Sequence, residues 1–278
     1  MPIQNRGKGL TIQLDIDGKA VRRYDLRLAP STELADWYAC FTIENYKGKQ
    51  ARVEATTTEA GFALIRQSDT IPGREHFYKE PHRPQFHFTQ KVGWNNDPNG
   101  MVYHDGKWHL FFQHNPVGLG WGNMTWGHAV TKDLLHWQQQ PDVLFSKTMA
   151  MGDCYSGSAI VDKHNTAGWG DNTLVAFFTD TGCGEAIAYS TDTGKTFTYY
   201  GKNPVVKHGG RDPKVVWYAY GKQDSPLDDK AKELGGHWVM VVYDNKGGNN
   251  AAFHTSTNQS KIGPSKATFQ ATANVPIL

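Results

Sequence analysis

The run WHLFF at residues 108–112 reads as an apolar β-strand, and it recurs as LVAFF at 174–178 and WVMVV at 238–242, about 66 and 64 positions apart. A fixed period of tens of residues marks a repeat architecture and outweighs any single strand assignment. Each run is followed by a similar short element: AVTKD at 129–133, AYSTD at 188–192 and HTSTN at 254–258. Each block therefore reads as one four-stranded blade of a β-propeller. The strands that open the blades begin at DPNG (97–100), YSGS (155–158) and RDP (211–213), about 58 and 57 positions apart. In a propeller such starts crowd around one axis, so Asp97 and Asp212 are expected side by side at the mouth of a funnel.

Working outward, residues 10–29 alternate apolar and polar around an Asp17-Gly18 hairpin signal, and strand-like runs follow at 37–43 and 50–56. This region reads as a small β-sandwich-like module. Residues 71–84 carry Pro72, Gly73, Pro81 and Pro84 among charged side chains and read as a linker. The expected class is all-β: an N-terminal β-sandwich-like module at 1–82, then a partial β-propeller at 83–278 with about three blades present.

Charge and composition exclude several functions. The net charge of the 278 residues is +2 with scattered Lys and Arg, so nucleic acid is not an expected partner. No apolar run approaches the roughly 18 to 20 residues that span a bilayer, and residues 1–10 lack the apolar centre of a signal peptide. Cys40, Cys154 and Cys183 form no CxxC pair, and no HExxH spacing occurs, so no metal is expected. His87, His109, His114 and His128 lie in or beside strand-like runs and read as structural imidazoles. Neither a GxSxG elbow nor a P-loop is present.

Two carboxylates facing each other across a pocket are the minimal equipment for glycoside hydrolysis, and no cofactor is needed. Trp94, Asn96, Gln113, Trp121, Trp126 and Tyr155 add the apolar faces and fixed hydrogen-bonding groups common in a small-ligand pocket. Singly, each has a plainer reading: DPNG is an ordinary turn, Arg211-Asp212 a surface ion pair, the Trp residues core. Their recurrence at matching blade positions favours the site.

WNNDPNG at 94–100, FFQHNP at 111–116, WGNMTWGHA at 121–129, YSGS at 155–158 and RDP at 211–213 together resemble glycoside hydrolase family 32, the family of invertases, inulinases, levanases and plant fructosyltransferases. The resemblance runs from about residue 83 to 258 and implies an incomplete five-bladed β-propeller, and residues 1–82 look like the β-rich module that precedes this propeller in some bacterial fructan hydrolases. It implies that Asp97 is the nucleophile that attacks the fructosyl anomeric carbon and forms a covalent intermediate. Asp212 would stabilise the transition state through the fructosyl hydroxyls, with Arg211 helping to hold it charged. Trp94, Asn96, Gln113, Trp121, Tyr155 and Ser156 match positions lining the terminal fructosyl subsite. Sucrose or a fructan is the implied partner, and action outside the cytoplasm the implied location.

The family's general acid is a Glu in a Glu-Cys-Pro type segment opening the next blade, and no Glu follows Glu233. Asp133 precedes Tyr155 by 22 positions and Asp192 precedes Asp212 by 20, so Asn258 predicts the next blade start near 278–280. Glu185 is the nearest substitute, but it falls inside a blade rather than at a strand start. From Gln259 onward the resemblance is lost. The expectation is a chain that is poorly stable and nearly inactive alone. A fructosyltransferase and a non-catalytic fructan-binding propeller are the rival readings.

Overall fold

The computed structural model describes residues 1–56, 60–207, 209–245 and 250–258. The N-terminal region contains β1 (Pro2–Ile3), β2 (Leu10–Ile16), β3 (Lys19–Leu26), β4 (Trp37–Tyr38) and β5 (Ala51–Ala55). Strands β3, β2 and β5 form one antiparallel sheet, while β1 and β4 form a two-stranded ribbon. The β2–β3 hairpin turns at Asp17 and Gly18, both with positive φ, as the Asp-Gly signal requires. Strict alternation in β2 buries Leu10, Ile12, Leu14 and Ile16. Leu10 and Ile12 share a core with Ile3, Tyr24, Leu26, Leu28 and Ala39. The strand expected at 37–43 shrinks to β4, because its partner β1 is only two residues long.

Three further sheets follow in chain order. The first is β6 (Trp94–His104), β7 (Lys107–Asn115), β8 (Thr125–Thr131) and β9 (Gln138–Leu144); the second is β10 (Cys154–Asp162), β11 (Thr173–Asp180), β12 (Gly184–Ser190) and β13 (Thr198–Tyr199). The third contains β14 (Arg211–Ala219), β15 (Gly236–Asp244) and β16 (Asn250–Ser256), with the short helix α1 (Asp229–Leu234) between β14 and β15. Strand order equals chain order in all three, as in propeller blades. The repeated apolar runs are the second strands β7, β11 and β15, whose side chains are mostly buried on both faces in β11. A fourth strand for the third blade, and the next blade start near 278–280, fall outside the described residues.

The recurring short element closes the third strand of each blade by one device. Thr131 donates to Asp133 Oδ1 at 2.9 Å, and that oxygen accepts the N–H groups of Leu135 and His136. Ser190 donates to Asp192 Oδ1 at 2.7 Å, and that oxygen accepts from Lys195 and Thr196. In β16 the Asn258 N–H donates to Ser256 Oγ at 3.0 Å. Short polar side chains that bond their own backbone end a strand and start a turn, which is why the repeat is visible in sequence.

The chain divides into two compact units: Met1–Asp97 with Phe112–Asp153, and Pro98–Phe111 with the described residues from Cys154 onward. In the first, Asn123 binds Asp25 twice, accepting its N–H and donating to its carbonyl, both at 2.8 Å. In the second, Val175, Phe177, Ile187, Val206, Val215, Trp238 and Met240 form one core cluster.

Candidate active site

In the first unit, Trp94, Asn96 and Asp97 sit at the start of β6, Gln113 on β7 and Trp121 in the loop after it. The segment entering β6 is held from below. His114 Nε2 faces the Val92 carbonyl at 3.2 Å, and Gln90 donates to the Gly93 carbonyl at 2.6 Å. Gly93 has φ +84, and a Cβ there would stand 2.3 Å from the Asn115 carbonyl oxygen, so only glycine brings the chain this close. The Trp94 indole N–H then donates to Asn96 Oδ1 at 3.0 Å, which ties two of the expected subsite residues together. Asp97 and Trp94 are exposed, whereas Gln113 is buried.

Trp121 is largely exposed, at 61%, on a loop braced by Asn115. Asn115 donates to the Gly120 carbonyl and its Oδ1 accepts from Val117 and Asn123. An exposed indole on a pinned loop is a ready apolar face for a sugar. Trp126, grouped with it on sequence, is instead wholly buried and belongs to the core.

In the second unit, two expected site pairs occupy equivalent positions. Between the Cys154–Asp180 and Gly157–Phe178 partners, Tyr155 and Ser156 oppose Thr179 alone. Between the Arg211–Tyr243 and Lys214–Val241 partners, Asp212 and Pro213 oppose Val242 alone. Both first strands thus carry the same two-for-one bulge, a device that re-aims side chains and is common beside active sites. Asp212 has φ +65, a left-handed conformation that Asp tolerates better than most residues. Ser158 pins the second bulge by donating to the Pro213 carbonyl at 2.9 Å and accepting the Val215 N–H at 3.0 Å. Arg211 Nε lies 3.2 Å from Asp212 Oδ2, with both side chains well exposed, so the pair contributes at most about 1 kcal/mol.

Two groups were not singled out as site residues on sequence. Thr179, opposite the first bulge, accepts the Asp212 N–H at 2.9 Å. Glu185, the substitute acid considered above, is fully buried on β12 directly across from Thr179. Nothing in a lone Thr marks such a contact in sequence. A cavity of about 680 Å³ in the second unit is lined by Tyr103, His104, Lys163, Trp169, Asn172 and Thr193 among others. No expected site residue lines it.

Sheets whose strand order equals chain order, two of them opening on a bulged first strand, define an all-β chain of the propeller class. The chain belongs to glycoside hydrolase family 32: the family's N-terminal domain model, "Glycosyl hydrolases family 32 N-terminal domain", matches residues 87–261. The levanase of Bacillus subtilis (strain 168) is 44% identical over 192 residues, covering 66% of this chain and 26% of that protein. Invertase 1 of Saccharomyces cerevisiae is 46% identical over 156 residues, covering 51% and 29%. The crystal structure of exo-inulinase from Aspergillus awamori superposes with a TM-score of 0.54 at 34% identity, over 66% of this chain and 39% of that one. The chain therefore spans about a quarter to two fifths of the length of these relatives. Among the described residues, no helix is long and apolar enough to cross a membrane.

Proposed function

We propose that the chain carries the nucleophile and the transition-state stabiliser of a retaining β-fructosidase acting on sucrose or a fructan outside the cytoplasm. Asp97 carries the first of these roles and Asp212 the second, with residues 83 onward as the propeller domain and residues 1–82 as a front module. An Asp97 carboxylate oxygen bonds to the fructosyl anomeric carbon as the glycosidic oxygen departs with the bonding pair and takes up a proton. Water then attacks the same carbon, loses a proton, and releases fructose and the Asp97 carboxylate. Asp212 hydrogen-bonds fructosyl hydroxyls more strongly as positive charge develops on the ring. Trp94, Asn96, Gln113, Trp121, Tyr155, Ser156 and Arg211 shape the pocket. The leaving-group proton comes from a general acid distinct from these two carboxylates.

The observation that supports this reading best is the repetition of first-strand starts WNNDPNG, YSGS and RDP, the latter two with the same two-against-one register shift. The names of the relatives, levanase, invertase and exo-inulinase, support the substrate class.

Loss of a general acid costs roughly 10²- to 10⁴-fold when the leaving group needs a proton, and little when it does not. The 278-residue chain is therefore expected to turn over 4-nitrophenyl β-fructofuranoside while releasing almost no fructose from sucrose. Asp97→Asn should abolish the aryl activity and Asp212→Asn should lower it by about 10²- to 10³-fold. Sucrose turnover near 10 s⁻¹, an ordinary enzyme rate, or an active Asp97→Asn variant would overturn the proposal.

A further inference from the structure

We infer that Thr179 and Glu185 are a buried positioning pair for Asp212; its catalytic consequence rests on the reading of Asp212 as the transition-state carboxylate. Asp212 sits in a bulge with a left-handed backbone, so its carboxylate direction depends on what fixes that one peptide. The fixing contact is its own N–H, which donates to Thr179 Oγ1 at 2.9 Å. That N–H occupies a lone pair of the hydroxyl, so the single hydroxyl proton must point elsewhere. Both Glu185 oxygens lie within reach of it, Oε1 at 3.1 Å and Oε2 at 3.0 Å. A carboxylate at 185 thus sets Thr179 as an acceptor towards Asp212.

The pair is built into the sheet rather than draped over it. Thr179 and Glu185 are direct cross-strand partners on β11 and β12, Thr179 is 5% exposed and Glu185 0%. Glu185 is further locked by backbone bonds to Val205 and Val206. An acid this deeply buried is costly unless it serves a hydrogen bond. Wholly buried and in contact with the Thr179 hydroxyl, it acts on Asp212 through Thr179. An amide at 185 retains an accepting oxygen and keeps the arrangement; an apolar side chain does not.

The test uses the whole 278-residue chain with two readouts. Amide hydrogen exchange followed by NMR should show Asp212 protected in the parent chain, protected in Thr179→Ser and Glu185→Gln, and exchanging roughly tenfold faster in Thr179→Val and Glu185→Met. Turnover of 4-nitrophenyl β-fructofuranoside should follow the same order, with kcat falling more than KM rises in the two apolar variants and recovery in the two conservative ones. A parent chain whose Asp212 amide exchanges unprotected overturns the inference without any variant. So does Thr179→Val with parental exchange or parental kcat. If the parent chain shows no aryl turnover, the proposed function fails instead, and the pair is judged on the Asp212 amide alone.

Discussion

At the residue scale the best-defined ionic contact near the expected site is His114 with Asp142. Nδ1 lies 2.9 Å from Asp142 Oδ1 and Nε2 faces the Val92 carbonyl, and both partners are nearly inaccessible. Both ring nitrogens meet acceptors, so the imidazole is held doubly protonated. Burial opposes that charge, but the Asp142 carboxylate outweighs it by charge and hydrogen bond, and the His114 value is raised. A raised folded value stabilises fully below the unfolded value of about 6.5 and loses that contribution as pH climbs through the folded one. Chemical denaturation at fixed temperature should show stability falling from mildly acid to alkaline pH, and Asp142→Asn should flatten this slope while costing about 3 kcal/mol. An unchanged slope in the variant would remove the pair from the account. His114 was legible only as a structural histidine; its partner, 28 positions away, had no local signature.

At the element scale the two bulges matter most. Residues 155–156 and 212–213 were legible as blade starts because their spacing repeats, but the bulge itself was not, since it depends on the neighbouring strand's register. Gly157 shows what the bulge demands. A Cβ there would lie 1.9 Å from the Phe177 carbonyl oxygen and 2.8 Å from the Phe178 Cα, both backbone atoms that cannot swing aside. Gly157→Ala should therefore destabilise by about 3 kcal/mol, as overpacking at a rigid contact does. It would be read as a lower denaturant midpoint with an unchanged slope. A shift within about 0.5 kcal/mol, the range of an ordinary surface change, would mean that the strands approach less closely than described. The N-terminal hairpin was fully legible, because Asp17-Gly18 and the alternation of β2 act locally, whereas the run at 37–43 was overcalled for want of a partner strand.

At the scale of the whole molecule, the blade order followed from three apolar runs and three capped turns, and the family from five ordered motifs. Less legible was the support beneath the site: the Asn115 and Asn123 contacts under the Trp121 loop, and the buried Thr179 and Glu185 pair. These join residues distant in sequence through single polar atoms, which leave no periodic trace. The third blade exposes Val216, Tyr218, Tyr243 and Phe253 among its described residues. The central claim is that Asp97 becomes covalently fructosylated while Asp212 steadies the ring. Because its leaving group needs no proton, 4-nitrophenyl β-fructofuranoside should form the intermediate on the chain faster than water clears it. Acid quenching followed by peptide mapping by mass spectrometry should place one fructosyl group on the peptide containing Asp97, and none in Asp97→Asn. Fructose release with no adduct at Asp97, or an adduct on another carboxylate, would contradict the account.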